Sequence, residues 1–115
     1  MKKIFLIMLL VACGIINAQE KSKEVVTAVF NVKGNCDECK KRIENAVDIK
    51  GVKLANWDEK AQALTVTYRA DKVSEQEIKQ AILKSGHDVE NEKAADAVYN
   101  KLPDCCKFRD KKCVK

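Results

Sequence analysis

The sequence predicts an α+β domain in which an antiparallel sheet carries two helices on one face, followed by a short helical, cysteine-rich C-terminal tail. Three observations predict it. The run Thr27 to Val32 alternates like a half-buried strand, whereas Cys39, Ile43, Ala46 and Val47 recur at helical spacing. Ser74 with Glu77 three residues on forms a capping-box signature. Gly86 then stands where a helix-ending glycine belongs.

The elements follow in order. Residues 19–24 are a polar leader without periodicity, expected to be mobile. A first strand runs over about residues 25–32 with Val26, Ala28, Phe30 and Val32 on one face. Lys33-Gly34-Asn35 breaks it, and a helix covers about residues 37–48, with Lys40, Lys41, Arg42 and Glu44 toward water. Gly51 supports a stop, and residues 52–57 read as a second strand whose facing the pattern leaves open. Asp58-Glu59-Lys60 turns the chain into a third strand, about residues 63–68, with Leu64, Val66 and Tyr68 inward. The second helix buries Ile78, Ala81 and Ile82, and a short fourth strand is expected from His87 to Glu90. This β-α-β-β-α-β order is the split pattern of ferredoxin-like sandwiches. Beyond it, residues 91–101 read as a short helix with Ala95, Val98, Tyr99 and Leu102 on one side, stopped by Pro103.

Residues 1–18 are read apart from the fold. Met1-Lys2-Lys3 is a short basic region, Ile4 to Val11 is apolar, and Ile16-Asn17-Ala18 resembles a signal-peptidase site. Cleavage after Ala18 and export, to a periplasm in the first instance, is the expectation. Leu10-Val11-Ala12-Cys13 has the form of a lipoprotein box, so a lipid anchor at Cys13 is the alternative. The apolar stretch is too short for a transmembrane anchor. Without residues 1–18, 97 residues remain with 20 basic and 17 acidic side chains. That mild balance, with no basic patch interleaved with aromatics, argues against nucleic acid.

Five cysteines then remain: Cys36, Cys39, Cys105, Cys106 and Cys113. Cys36 and Cys39 sit three residues apart at a loop–helix junction, where two thiolates can converge on one soft ion. A near-linear sulfur–metal–sulfur arrangement suits Cu(I) or Hg(II); a closed structural zinc site would want four ligands. The helix N-terminus is expected to lower the thiol pKa values, with Asp37 and Glu38 opposing it. The same pair could instead form a reversible disulfide, although Asp37-Glu38 and the lack of a proline within the core disfavour thioredoxin-like chemistry.

Gly34-Asn35-Cys36-Asp37-Glu38-Cys39, Ile43-Glu44, Ala46, Gly51-Val52, Val73-Ser74, Ile78, Ala81-Ile82 and Gly86 together resemble the heavy-metal-associated domain family over residues 25–90. That family includes copper chaperones, the periplasmic mercury-binding protein and the N-terminal domains of metal-transporting P-type ATPases. The resemblance implies a ferredoxin-like, non-enzymatic protein holding its ion through Cys36 and Cys39. Cu(I) or Hg(II) comes first, with Zn(II) or Cd(II) as further candidates. A membrane metal transporter or P-type ATPase domain is the implied partner. Lys40, Lys41 and Arg42 could dock it if it is acidic, or be only a solvated face. The sequence departs from the family at Gly34-Asn35-Cys36, one residue shorter and without the methionine that packs beneath the loop. The segment from Val47 to Gly51 is also one residue short.

His87 follows Gly86 where members often place an aromatic near the metal loop, which makes it a candidate third ligand. In the tail, Cys105, Cys106 and Cys113 could form a second soft site, cap Cys36 and Cys39, or enter a disulfide through Cys113. Three functional classes stand open: a soft-metal carrier, a binding or sensor module whose tail contacts a partner, and a thiol–disulfide protein.

Overall fold

Period-two alternation produces the sheet. The computed structural model describes residues 24–110; the expected signal segment, Cys13 and Cys113 lie outside the described residues. Strand β1 is Val25–Asn31, β2 is Val52–Asp58 and β3 is Ala63–Arg69, paired antiparallel in the order β1-β3-β2. The register aligns Phe30, Leu64 and Trp57 in one row across the inner face, and Ala28, Val66 and Ala55 in the next. These rows pack under Ile43 of helix α1 (Asp37–Ala46) and under Ile78 and Ile82 of helix α2 (Glu75–Lys84). Each fully buried aliphatic of this kind stabilises the fold by about 1.5–3 kcal/mol.

Helix α1 ends two residues before the expected boundary, though Val47 stays buried. Of the four side chains expected toward water, Lys41 is exposed, while Lys40, Arg42 and Glu44 are half-buried. Helix α2 follows the sequence closely. Glu77 N–H donates to Ser74 Oγ at 3.1 Å, and Ser74 N–H donates to Glu77 Oε1 at 2.8 Å. Gly86, at φ +101, closes its end with two backbone bonds, Gly86 N–H to Leu83 O and His87 N–H to Ile82 O.

Two expectations on the far side of α2 are corrected. The fourth strand reduces to single bridges, Val32 with Val89 and Val89 with Glu92. Glu90 adopts a left-handed φ of 53, which turns the chain back before a ladder can extend. The tail helix shrinks to α3, Asp96–Tyr99, because Glu92 is held in the Val89 bridge and Ala94 N–H donates to Asp88 Oδ1 at 2.8 Å. Tyr99 and Leu102 are buried as expected, whereas Ala95 is exposed and Val98 half-buried. A 3₁₀ turn, Asp104–Cys106, follows Pro103. Among the described residues no helix is long and apolar enough to cross a membrane.

Candidate metal centre

The loop between β1 and α1 is fastened from below, independently of its cysteines. Trp57, 1% exposed, donates its Nε1–H to Val32 O at 2.9 Å. Its ring lies so close to Gly34 that a Cβ there would meet ring carbons at 3.0 Å and Cys39 Cβ at 3.0 Å, so a larger residue would have to displace the ring or the cysteine. Gln62, from the β2–β3 turn, satisfies both backbone groups of Gly34: Gly34 N–H donates to Oε1 and Nε2–H donates to Gly34 O, each at 3.1 Å. The edge strand β2 is tied to α1 by side chains. Glu44 Oε2 accepts from Trp57 N–H at 2.8 Å, and Lys40 Nζ donates to Trp57 O at 3.1 Å and to Glu44 at 2.6 Å.

On this platform Cys36 is the N-cap of α1 and Cys39 lies in its first turn. Their sulfurs stand 3.9 Å apart. Asn35 N–H donates to Cys39 Sγ at 3.2 Å, and Cys36 Sγ–H donates to Cys105 O at 3.2 Å. The pair is not at the surface, where its loop position would put it: Cys36 is 7% exposed and Cys39 is fully buried, because the tail lies over them. The fully buried Cys106 completes a group in which the sulfurs of Cys36, Cys39 and Cys106 all lie within 4.8 Å of one another. Among the described cysteines no disulfide is formed.

Burial outweighs the helix N-terminus in setting the thiol chemistry. The Cys39 thiol is pushed up by burial, with the bonds from Asn35 N–H and from Cys106 only partly offsetting it. Cys106 is pushed up further, by burial and then by the neighbouring Cys39 and Cys105. The expected lowering therefore does not hold for Cys39. Without an ion these thiols keep their protons, and a soft cation would replace them.

The tail that delivers Cys106 is clasped to the domain. Arg109 Nη2 donates to Asp88 Oδ1 at 2.7 Å and to Ala94 O at 2.9 Å, its Nε donates to Asp88 Oδ2 at 3.3 Å, and its guanidinium stacks over Tyr99 at 4.2 Å. Leu102 packs against Gly86, where a Cβ would meet it at 3.1 Å. Phe108 stacks on His87 with ring centroids 5.3 Å apart.

The remaining sequence candidates fall elsewhere. His87 is fully buried beside the tail and outside the sulfur group; its Nδ1 bonds to Lys33 O at 2.8 Å. Burial and the charge of Arg42 hold its pKa low, against the Lys33 carbonyl and Asp88. Its Nε2 has no hydrogen-bond partner among the described residues. Cys105 is half-buried and outside the group, its sulfur 4.0 Å from that of Cys106. Lys40 is engaged internally, Lys41 is exposed, and Arg42 lines a groove with Lys84 and Lys101. Trp57, Gln62 and the Asp88–Arg109 clasp carried no sequence signal for this site.

The heavy-metal-associated domain model matches residues 29–88, more than half of the chain. The chain belongs to the heavy-metal-associated domain family. It is 34% identical over 67 residues to the copper chaperone CopZ of Staphylococcus haemolyticus, covering 56% of this chain and 98% of that protein. The N-terminal domain of a potential copper-translocating P-type ATPase from Bacillus subtilis, solved in its Cu(I)-loaded state, superposes with a TM-score of 0.56 at 27% identity, over 65% of this chain and 96% of that one. Oxidized MerP from Ralstonia metallidurans shares the fold at 22% identity, with a TM-score of 0.56 over 58% of this chain and 96% of that one. Within this heavy-metal-associated domain, Trp57 packs directly beneath the loop that lacks the usual methionine.

Proposed function

We propose that this chain is an exported, non-enzymatic carrier of a soft metal ion, held through Cys36 and Cys39 and passed on by ligand exchange. The observation that carries the reading is the pair of sulfurs 3.9 Å apart at the start of α1, in a chain of this family. Cu(I) or Hg(II) is the favoured cargo, since two thiolates select soft cations, with Zn(II) and Cd(II) behind them. Similarity to a copper chaperone and to a copper-translocating ATPase domain supports handover to a membrane transporter of the P-type ATPase class. Lys41 and Arg42 are the side chains offered to an acidic partner surface, where rim charges mainly set the association rate. Export rests on the signal-like residues 1–18, with a lipid anchor at Cys13 as the variant form.

Titration of the reduced protein with each of the four ions, in competition with chelators, tests the reading. Binding tighter than about micromolar that disappears in Cys36→Ser supports it. Weaker binding, unchanged in that variant, would sink it. The buried position of both thiols under the tail favours a second reading, a protein that retains its ion rather than relaying it. Slow release to an acceptor dithiol, accelerated by removal of residues 104–115, separates the two.

A further inference from the structure

We propose that Cys106 is a third metal ligand, so that Cys36, Cys39 and Cys106 form one three-sulfur site closed by the tail. The inference rests on the soft-metal reading of Cys36 and Cys39 and extends it to the coordination number and class of ion.

The distances carry it. With metal–sulfur bonds of about 2.3 Å, a linear pair needs its sulfurs about 4.6 Å apart, whereas three sulfurs around one ion stand about 4.0 Å apart. Cys36 and Cys39 are at 3.9 Å, and all three sulfurs lie within 4.8 Å. The two motif sulfurs are thus spaced for a ligand set larger than two, and the third sulfur is already alongside. Its carrier is not a loose end. Leu102 on Gly86, Phe108 on His87 and Arg109 on Asp88 hold the segment around the 3₁₀ turn, so little ordering is left for the ion to impose. Cys105, the residue before it, lies outside the three-sulfur group with its sulfur 4.0 Å from that of Cys106, and its carbonyl accepts the Cys36 thiol hydrogen bond.

Binding forms three sulfur–metal bonds and releases three thiol protons to solvent. A divalent ion then leaves one net negative charge and a monovalent ion leaves two. Both would sit in a buried site at the positive end of α1, which compensates about half a charge. Three-sulfur coordination therefore suits Hg(II) or Cd(II) better than Cu(I). Release to an acceptor requires the tail turn to lift before a competing thiolate can reach the ion.

The test uses Hg(II) and Cd(II) alone with the reduced full chain, in buffer free of added thiols. Three-coordinate mercury thiolates absorb at longer wavelength than linear ones, and the wild-type protein is expected to give the three-coordinate spectrum. Cys106→Ser and Cys106→Ala should revert to the linear spectrum. Their Cd(II) affinity should fall at least about tenfold, since losing a direct ligand costs no less than losing a supporting partner. Cys105→Ser should match wild type. A linear wild-type spectrum overturns the proposal whether or not the Cys106 variants fold. If Cys36→Ser then abolishes binding, the two-cysteine reading stands while the third ligand falls. If Cys36→Ser binds as wild type does, the carrier reading itself has failed.

Discussion

Replacing Arg109 with alanine should unlock the tail without unfolding the domain. The guanidinium makes two contacts to Asp88, at 2.7 and 3.3 Å, one to Ala94 O and one to Asp96. The Asp96 side chain is 91% exposed, so that pair contributes little. Asp88 is different: its side chain is 6% exposed, and removing the partner of a buried charge costs about 3–5 kcal/mol. The domain can escape part of that cost by lifting the tail and rehydrating the carboxylate. The loss is therefore expected in the closed–open equilibrium of the tail more than in global unfolding. Taking about 3 kcal/mol, the open fraction rises about a hundredfold. The assay is alkylation of the reduced, ion-free protein, followed at Cys106 by peptide mass spectrometry. Cys106 is fully buried when the tail is closed, so its modification rate reports opening. An increase near a hundredfold is expected, against no change in Lys101→Ala, an exposed control. A rise below about threefold, on the same conversion of rate to free energy, would refute the clasp.

Three further predictions follow from the same contacts. Gln62→Ala removes both hydrogen bonds to Gly34, worth about 1–2 kcal/mol together, and should speed amide exchange at Gly34 by about 5- to 30-fold; unchanged exchange would show that Trp57 alone fixes the loop. Ser74→Ala breaks the α2 capping box and should cost about 1 kcal/mol, a fall of about 4–8 °C in Tm by calorimetry; a shift under 1 °C, on the same scaling, would contradict it. His87 is held neutral by burial and by Arg42, so the unfolded chain binds more protons below its ordinary pKa of about 6.5. Stability is then complete above that pH and falls as the pH drops toward the depressed folded value. The unfolding free energy from urea titrations should decline more between pH 6.5 and 5 in wild type than in His87→Gln, by up to about 1.4 kcal/mol per pH unit, and equal declines would refute it.

Much of the fold was legible because burial and periodicity agree. Phe30, Leu64, Val66 and Tyr68 alternate inward, and Ser74 and Gly86 bracket α2. The facing of β2 was illegible for a physical reason. A register shift between Val52 and Leu54 interrupts the alternation, so Val52, Ala55 and Trp57 share the inner face without a constant period. The sequence suggests a longer fourth strand than exists because Val89 is apolar and bridged, while the left-handed turn at Glu90 has no sequence signal in a glutamate. At the candidate site, Cys36 and Cys39 announce themselves by spacing at a helix start. Cys106 could be named as a possible ligand but not told apart from Cys105, because only the direction of the 3₁₀ turn separates them. The pairing of Asp88 with Arg109, 21 residues apart, looks in sequence like any two surface charges.

The neighbours of the bound ion decide whether the site is built from these cysteines. X-ray absorption at the metal edge of the Hg(II)-loaded, reduced full chain counts those neighbours without depending on any variant. It should return a shell of sulfur only, three atoms at about 2.3–2.5 Å, near the bond length usual for metal thiolates. A shell dominated by oxygen or nitrogen would contradict a site built from Cys36 and Cys39.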